Sequence, residues 1–318
     1  MRDRTAAIFG CAGPRLTTDE VAFFGEVRPW GFILFDRNLR QAEQVRGLCA
    51  DLRDAAGADV PILIDQEGGR VARLRPPLGR DWPPPFDHAE AAGADAAKAI
   101  RARYRDIATE LRALGIDVNC VPCADVARPD THPFLRNRCF GEDPARVARL
   151  ARAAADGTLE GGVLPVIKHI PGHGAGRVDS HEALPTVEAD LETLRAVDFV
   201  PFVALADQLM AMTAHVVYPA IDAERPATTS PAAIEVIRRE IGFGGLLMTD
   251  DISMGALGGA MSDRVRDSLD AGCDMILHCN GNSDEMMEVA EAAGTLRGAA
   301  AKRAERVMAH RAGAPVGE

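Results

Sequence analysis

No stretch of this 318-residue chain approaches the roughly 18 consecutive apolar residues that a membrane span needs. The apolar part of the opening MRDRTAAIFGCAG is too short for a signal peptide and reads as a first strand. A basic surplus is also missing. The formal charge of −11 argues against nucleic acid and anionic membrane as partners, since either requires a basic surface. Zinc-type cysteine spacing is absent too: Cys120 and Cys123 make one C-x-x-C, and no second pair follows. The seven cysteines are scattered and odd in number, which points to reduced thiols and a cytoplasmic location. Where a dinucleotide fold would carry G-x-G-x-x-G after its first strand, this chain has GCAGPRL. Lysine is nearly absent: arginine serves almost everywhere, and only Lys98, Lys168 and Lys302 depart from that.

The chain does have an apolar share of 47%, enough for a sizeable core. Short apolar runs mark strands at 6–9, 31–35, 61–65, 117–121, 163–168, 209–215, 245–249 and 274–278. Between them lie helical patterns near 18–27, 41–55, 96–114, 143–160, 190–206, 230–241 and 262–271, with an eighth over 283–310. In the third of these, Ile100, Tyr104, Ile107, Leu111 and Leu114 fall on one face. Several strands are apolar without alternation, as parallel strands buried on both faces are. Eight strands alternating with eight helices predict an α/β fold of the (β/α)₈ TIM-type barrel class. One domain is expected over 1–311, with a frayed tail over 312–318; the Pro-rich stretch 75–86 is a loop within it.

Polar residues gather where those strands end. At or just beyond their ends, Asp65 closes the third, Lys168 and His169 the fifth, His215 the sixth, Asp250 and Asp251 the seventh, and His278 the eighth. In a barrel these ends converge on one mouth, the place of active sites. The segment KHIPGHGAGRVDSH (168–181) is the densest. Its glycines and proline forbid a helix, and the connection to about residue 189 is far longer than an ordinary βα loop. Asp179 and His181, two apart, share a side in an extended stretch, so the carboxylate can steady a protonated imidazole. The bland alternative is a loop tied down by ordinary hydrogen bonds. His169 and His173 also admit a metal, although Pro171 and Gly172 break the helix that would align them, and no metal or other cofactor is expected. Lys168 fits a Schiff base, a substrate contact or a structural ion pair equally well. Of two adjacent carboxylates at a strand end, one of Asp250 and Asp251 points to the axis and the other away. DQEGGRVAR (65–73) adds Asp65, Glu67, Arg70 and Arg73 around a tight Gly-Gly turn, and LRNRCFGED (135–143) adds Arg136 and Arg138.

With these segments in view, the chain resembles the β-N-acetylhexosaminidases of glycoside hydrolase family 3, in their single-domain bacterial form. The matching stretches are ILIDQEGGRVAR, NRCFGED, KHIPGHG followed by DSH, MTAHVVYP and LLMTDDISMGAL, spanning residues 62–257. Ile170 stands where phenylalanine is common in the family, and Gly255 and Ala256 where a glutamate–glycine pair is frequent.

The resemblance implies a retaining hydrolase that removes terminal β-linked N-acetylglucosamine from peptidoglycan fragments through a glycosyl-aspartate, in cell-wall recycling. It implies Asp250 as nucleophile and His181 as acid/base assisted by Asp179. It implies Asp65, Arg73, Arg138, Lys168 and His169 as sugar contacts. The expected partner is a small saccharide or muropeptide, with the protein a monomer. A retaining glycosidase needs one group to attack the anomeric carbon and another to protonate the leaving oxygen. An imidazole exchanges protons near neutral pH without a buried, raised carboxyl, which suits the second role. Another family 3 β-glycosidase, a phosphorolytic enzyme, a Schiff-base lyase on Lys168 and a metal hydrolase are the alternatives.

Overall fold

In this computed structural model, which describes residues 3–176 and 184–312, the unalternating apolar runs become strands buried along almost their whole length. They are β1 (Thr5–Gly10), β2 (Pro29–Leu34), β3 (Ile62–Ile64), β4 (Val118–Asn119), β5 (Leu164–Pro165 continued by Ile167–Ile170), β6 (Met210–Thr213), β7 (Leu246–Asp251) and β8 (Met275–His278). Every pairing between them is parallel. The first half of β5 pairs with β4 and its second half with β6, so the ring is closed. The (β/α)₈ barrel read from the sequence is the architecture observed.

Closing a sheet on itself gives each strand an inner and an outer side chain row, and hence two apolar layers. Inside the ring lie Ile8, Ile33, Leu63, Cys120, Val166, Met210, Met212, Met248, Met275 and Leu277. Unbranched methionines adapt to the irregular space at a barrel axis. Outside it, the helices lay their apolar stripes on the strands. Ile100, Tyr104, Ile107 and Leu111 of the helix Ala96–Arg112 are all buried, as their spacing predicted, and so is Leu114 just beyond its end. That helix packs closely on Pro144–Glu160, because a Cβ at Gly157 would collide with the Arg101 carbonyl.

One expected helix divides in two. The pattern over 283–310 forms Ser283–Ala293 and Gly298–Ala312, separated where Gly294 and Gly298 take φ of +58° and +57°. These are left-handed values that suit glycine and end a helix. The second piece, here called the base helix, crosses the N-terminal end of the barrel. Its Ala304 and Val307 join the inner layer together with Leu296. Arg303 donates to Asp274 Oδ1 at 2.7 Å and Arg311 to Asp117 Oδ2 at 2.6 Å, just ahead of β8 and β4. The same two carboxylates accept the amides of Leu247 and Ile62, so they fasten neighbouring strands as well. Apart from Ala312, the expected tail lies outside the described residues. Among the described residues no helix is long and apolar enough to cross a membrane.

Arg311→Ala removes a buried partner of Asp117 but leaves Arg53 on it at 2.9 Å. The expected cost is about 2–4 kcal/mol, towards the lower end of what breaking a buried pair costs. It is read as a lowered urea midpoint at unchanged slope; an unmoved midpoint contradicts the role given to the base helix.

Candidate active site

At the C-terminal ends of the strands a cavity of about 400 Å³ opens, lined by Asp65, Arg70, Arg73, His132, Phe134, Arg138, Lys168, His169, His173, Met212 and Asp250 among others. Its size suits a small ligand. Asp65, Arg73, Arg138, Lys168, His169 and Asp250, from four separate sequence segments, therefore meet in one place. Asp179 and His181 lie outside the described residues.

The cavity wall is built on the turn after β3. Gln66 shapes it: its Oε1 accepts the amides of Arg73 and Leu74, and its Nε2 donates to the Leu74 carbonyl. This closes a small hairpin of Gln66–Gly68 on Val71–Ala72. Gly68 and Gly69 have φ of 102° and 59°, and a Cβ at Gly68 would strike the Arg103 guanidinium and the Pro83 carbonyl. Asn119 at the end of β4 exchanges two hydrogen bonds with the Gln66 backbone and fixes the hairpin to the barrel. Glu67 is thereby held inside the molecule, fully buried.

Around Glu67 the charges alternate. Lys168 Nζ lies 2.7 Å from Asp65 Oδ1 and 2.6 Å from Glu67 Oε1. Arg138 grips both oxygens of Glu67 in a two-pronged pair, at 3.0 and 2.9 Å. Arg138 Nη2 also approaches His169 Nε2 at 3.3 Å, and His169 Nδ1 lies 2.7 Å from Asp125 Oδ2. Since a guanidinium only donates, Nε2 accepts, and the ring proton sits on Nδ1 facing Asp125.

Burial alone would neutralise the carboxylates and the lysine, but their neighbours hold them charged. Burial pushes Glu67 up, yet Arg138 and Lys168 bring its pKa down to about 2. Burial likewise works against Lys168, but Asp65 and Glu67 hold it well above the usual lysine value. An amine so fully protonated is no nucleophile, which disfavours the Schiff-base alternative. Asp125 stays below the carboxylate range despite burial because of the His169 ring and the His173 backbone. Burial lowers His173 to about 4 and keeps its ring neutral, although Asp125 lies close by.

Cys123, Asp125 and His169 offer ligand atoms within 4.8 Å of one another, which raises the question of a metal. Asp125, however, is already saturated. Its Oδ2 accepts from Cys123 Sγ and His169 Nδ1, and its Oδ1 from the amides of His169 and His173. The trio reads as a hydrogen-bond network that orients His169. Asp125 escaped the sequence reading; a lone carboxylate inside the apolar run CVPCADVA was its only signal.

The two aspartates that end β7 have different tasks. Asp250 faces the cavity. Asp251 turns away: its Oδ1 accepts the amides of Ser253 and Cys279, each at 3.1 Å, and its Oδ2 the Ser253 hydroxyl at 2.8 Å. Its own amide donates to Asp250 Oδ1 at 2.8 Å. Burial opposes ionisation of Asp250, but His169, His215, that amide and Lys168 hold the carboxyl below its ordinary range. His215 and His278, expected at the mouth by their position, do not line the cavity. His215 lies beneath Asp251, and His278 pairs with Glu285 at 2.9 Å. Above the charged ring, Arg70 stacks on Phe134 with its guanidinium carbon 3.6 Å from the ring centroid.

The family model described as the glycosyl hydrolase family 3 N terminal domain matches residues 26–309. A protein named Beta-hexosaminidase from Methylococcus capsulatus is 38% identical over 278 residues, covering 86% of this chain and 82% of its own. NagZ from Neisseria gonorrhoeae, solved in complex with N-trifluoroacetyl-D-glucosamine, superposes with a TM-score of 0.83 at 31% identity over 98% of both chains. A family 3 beta-N-acetylglucosaminidase from Paenibacillus gives a TM-score of 0.90 at 30% identity; this chain covers 62% of that longer one.

The depressed pKa of Glu67 contributes stability that is present above its unfolded value of about 4.5 and is lost as pH falls through about 2. Glu67→Gln is expected to lower stability at pH 7 by on the order of 3 kcal/mol. It should also flatten the fall of stability across that acid window. Urea titrations between pH 2 and 7 measure both, and an acid slope as steep as the unmodified protein's contradicts the assignment.

Proposed function

The chain belongs to glycosyl hydrolase family 3, and from that premise we propose that it is a retaining exo-β-N-acetylglucosaminidase acting on peptidoglycan fragments. It is a glycoside hydrolase by its relatives; the sugar is suggested by those named beta-hexosaminidase and beta-N-acetylglucosaminidase. The observation that carries the reading is the setting of Asp250, an ionised carboxylate in the same cavity as the alternating ring of Asp65, Lys168, Arg138 and His169.

In this mechanism a terminal N-acetylglucosamine sits against that ring. Asp65 accepts from sugar hydroxyls, while Lys168, Arg73 and Arg138 donate to its oxygens. Because these groups already hold one another in place, little side-chain order is lost when the sugar enters. Asp250 attacks the anomeric carbon and forms a glycosyl ester as the bond to the leaving oxygen breaks. His181, with Asp179 steadying its imidazolium, gives that oxygen its proton and then takes one from the water that cleaves the ester. The roles of His181 and Asp179 rest on the family's DSH motif. Two inversions at the anomeric carbon give net retention.

The resemblance also supplies the setting: a cytoplasmic monomer, its catalytic domain over 1–311, working without a cofactor in cell-wall recycling on muropeptide fragments.

Asp250→Ala is expected to lower hydrolysis of 4-nitrophenyl N-acetyl-β-D-glucosaminide by at least about 1,000-fold. A 5-fluoro N-acetylglucosaminyl donor should leave its label on the peptide carrying Asp250. Near-normal turnover by the alanine variant, or a label elsewhere, rejects the mechanism. Free N-acetylglucosamine as product with phosphate present supports hydrolysis, whereas sugar 1-phosphate shows phosphorolysis.

A further inference from the structure

His215 comes from MTAHVVYP, one of the stretches that match the family, yet it lines no part of the cavity. Its side chain is enclosed at the end of β6, 1% exposed, with both ring nitrogens engaged. Nε2 lies 3.0 Å from the backbone carbonyl of Asp251. Nδ1 lies 2.7 Å from Thr228 Oγ1, which lies 2.8 Å from Thr213 Oγ1. A carbonyl only accepts, so Nε2 carries the ring proton. Burial keeps the imidazole neutral against the pull of the Asp250 carboxylate and the Asp251 backbone and side chain, with His169 opposing them. With the ring neutral, Nδ1 is an acceptor facing the Thr228 hydroxyl, whose one proton is shared between it and the Ala214 carbonyl 3.1 Å away, while Thr213 lies within hydrogen-bond reach of the same oxygen.

His215 is therefore one of the groups that fix Asp251. The Asp251 side chain is tied to Ser253 and to the Cys279 amide beyond β8, and its carbonyl accepts from His215 and, at 3.1 Å, from the Met254 amide. A residue held at both its carboxylate and its carbonyl cannot turn about its own backbone bonds, so the direction of its N–H is set. That N–H donates to Asp250 Oδ1. It leaves Oδ2 with no hydrogen-bond partner among the described residues.

We infer that His215 is a positioning residue for the nucleophile: by holding the Asp251 carbonyl it fixes the amide that aims Asp250 at the sugar. The inference rests on the reading of Asp250 as nucleophile. It assigns His215 no contact with substrate and no proton transfer. Its contribution is orientational, so its loss falls on the attack step and spares sugar binding.

Two amide variants separate the ring's two contacts. The amide nitrogen of His215→Gln reaches the place of Nε2 and keeps the donor to Asp251. His215→Asn reaches only the place of Nδ1 and keeps Thr228 alone. On the nitrophenyl substrate, the Asn variant is expected to lose about 30-fold in kcat with KM within about 3-fold, while the Gln variant stays within about 5-fold of the unmodified protein. The rate of labelling by the 5-fluoro donor should fall with kcat in the Asn variant. Equal kcat in the two variants, or a loss carried by KM, overturns the inference. Labelling of Asp250 at the unmodified rate in the Asn variant overturns it and leaves the nucleophile assignment standing. A label elsewhere in the unmodified protein overturns both.

Discussion

Six side chains at the barrel mouth, the partly buried Asp65 and the buried Lys168, Glu67, Arg138, His169 and Asp125, are each stable in their charged or tautomeric form only because of the next. None of them bears its own burial. A lone ammonium or carboxylate at that depth would give up its charge before it gave up its water. Linked, they form a rigid polar wall in an otherwise apolar core, and the local backbone serves that wall. The Gln66 hairpin delivers Glu67 inward, Asn119 locks the hairpin, and β5 supplies Lys168 and His169 in succession. The arrangement is costly if any member is missing, which couples the integrity of the fold to the integrity of the site.

The wall also explains a division of labour among acids. Carboxylates with several charged or amide partners, such as Glu67, Asp125 and Asp251, are spent on geometry. Asp250 has one amide on one oxygen and the cavity before it. Ionisation without saturation is what a nucleophile requires, and it arises here because Asp251 absorbs the neighbouring donors.

Much of this was legible in the residues. Parallel strands buried on both faces must read as short apolar runs, so all eight strand positions and the closed ring followed from the sequence. The strand-end rule brought Asp65, Lys168, His169 and Asp250 together correctly. Its limits were also physical. A strand end has two sides, and a polar residue there can turn under the mouth, as His215 does, or sideways to a helix, as His278 does towards Glu285. Apolar periodicity over 283–310 concealed a break that Gly294 and Gly298 made available. Asp125 was missed because its four donors come from three places in the chain, and such convergence exists only in the folded state. Glu67 was visible in the Gly-Gly turn, but its depth was not.

The base helix has a consequence for how the protein comes into being. Residues 298–312 leave the ribosome after every strand, yet Arg303 and Arg311 neutralise Asp274 and Asp117, and Val307 fills the foot of the ring. Until then, nascent strands expose an unplugged apolar floor, and Asp117 and Asp274 keep one arginine each, Arg53 and Arg238. The foot of the ring thus stays open until the base helix has been made and docks, and a chain at that stage exposes apolar surface of the kind chaperones bind.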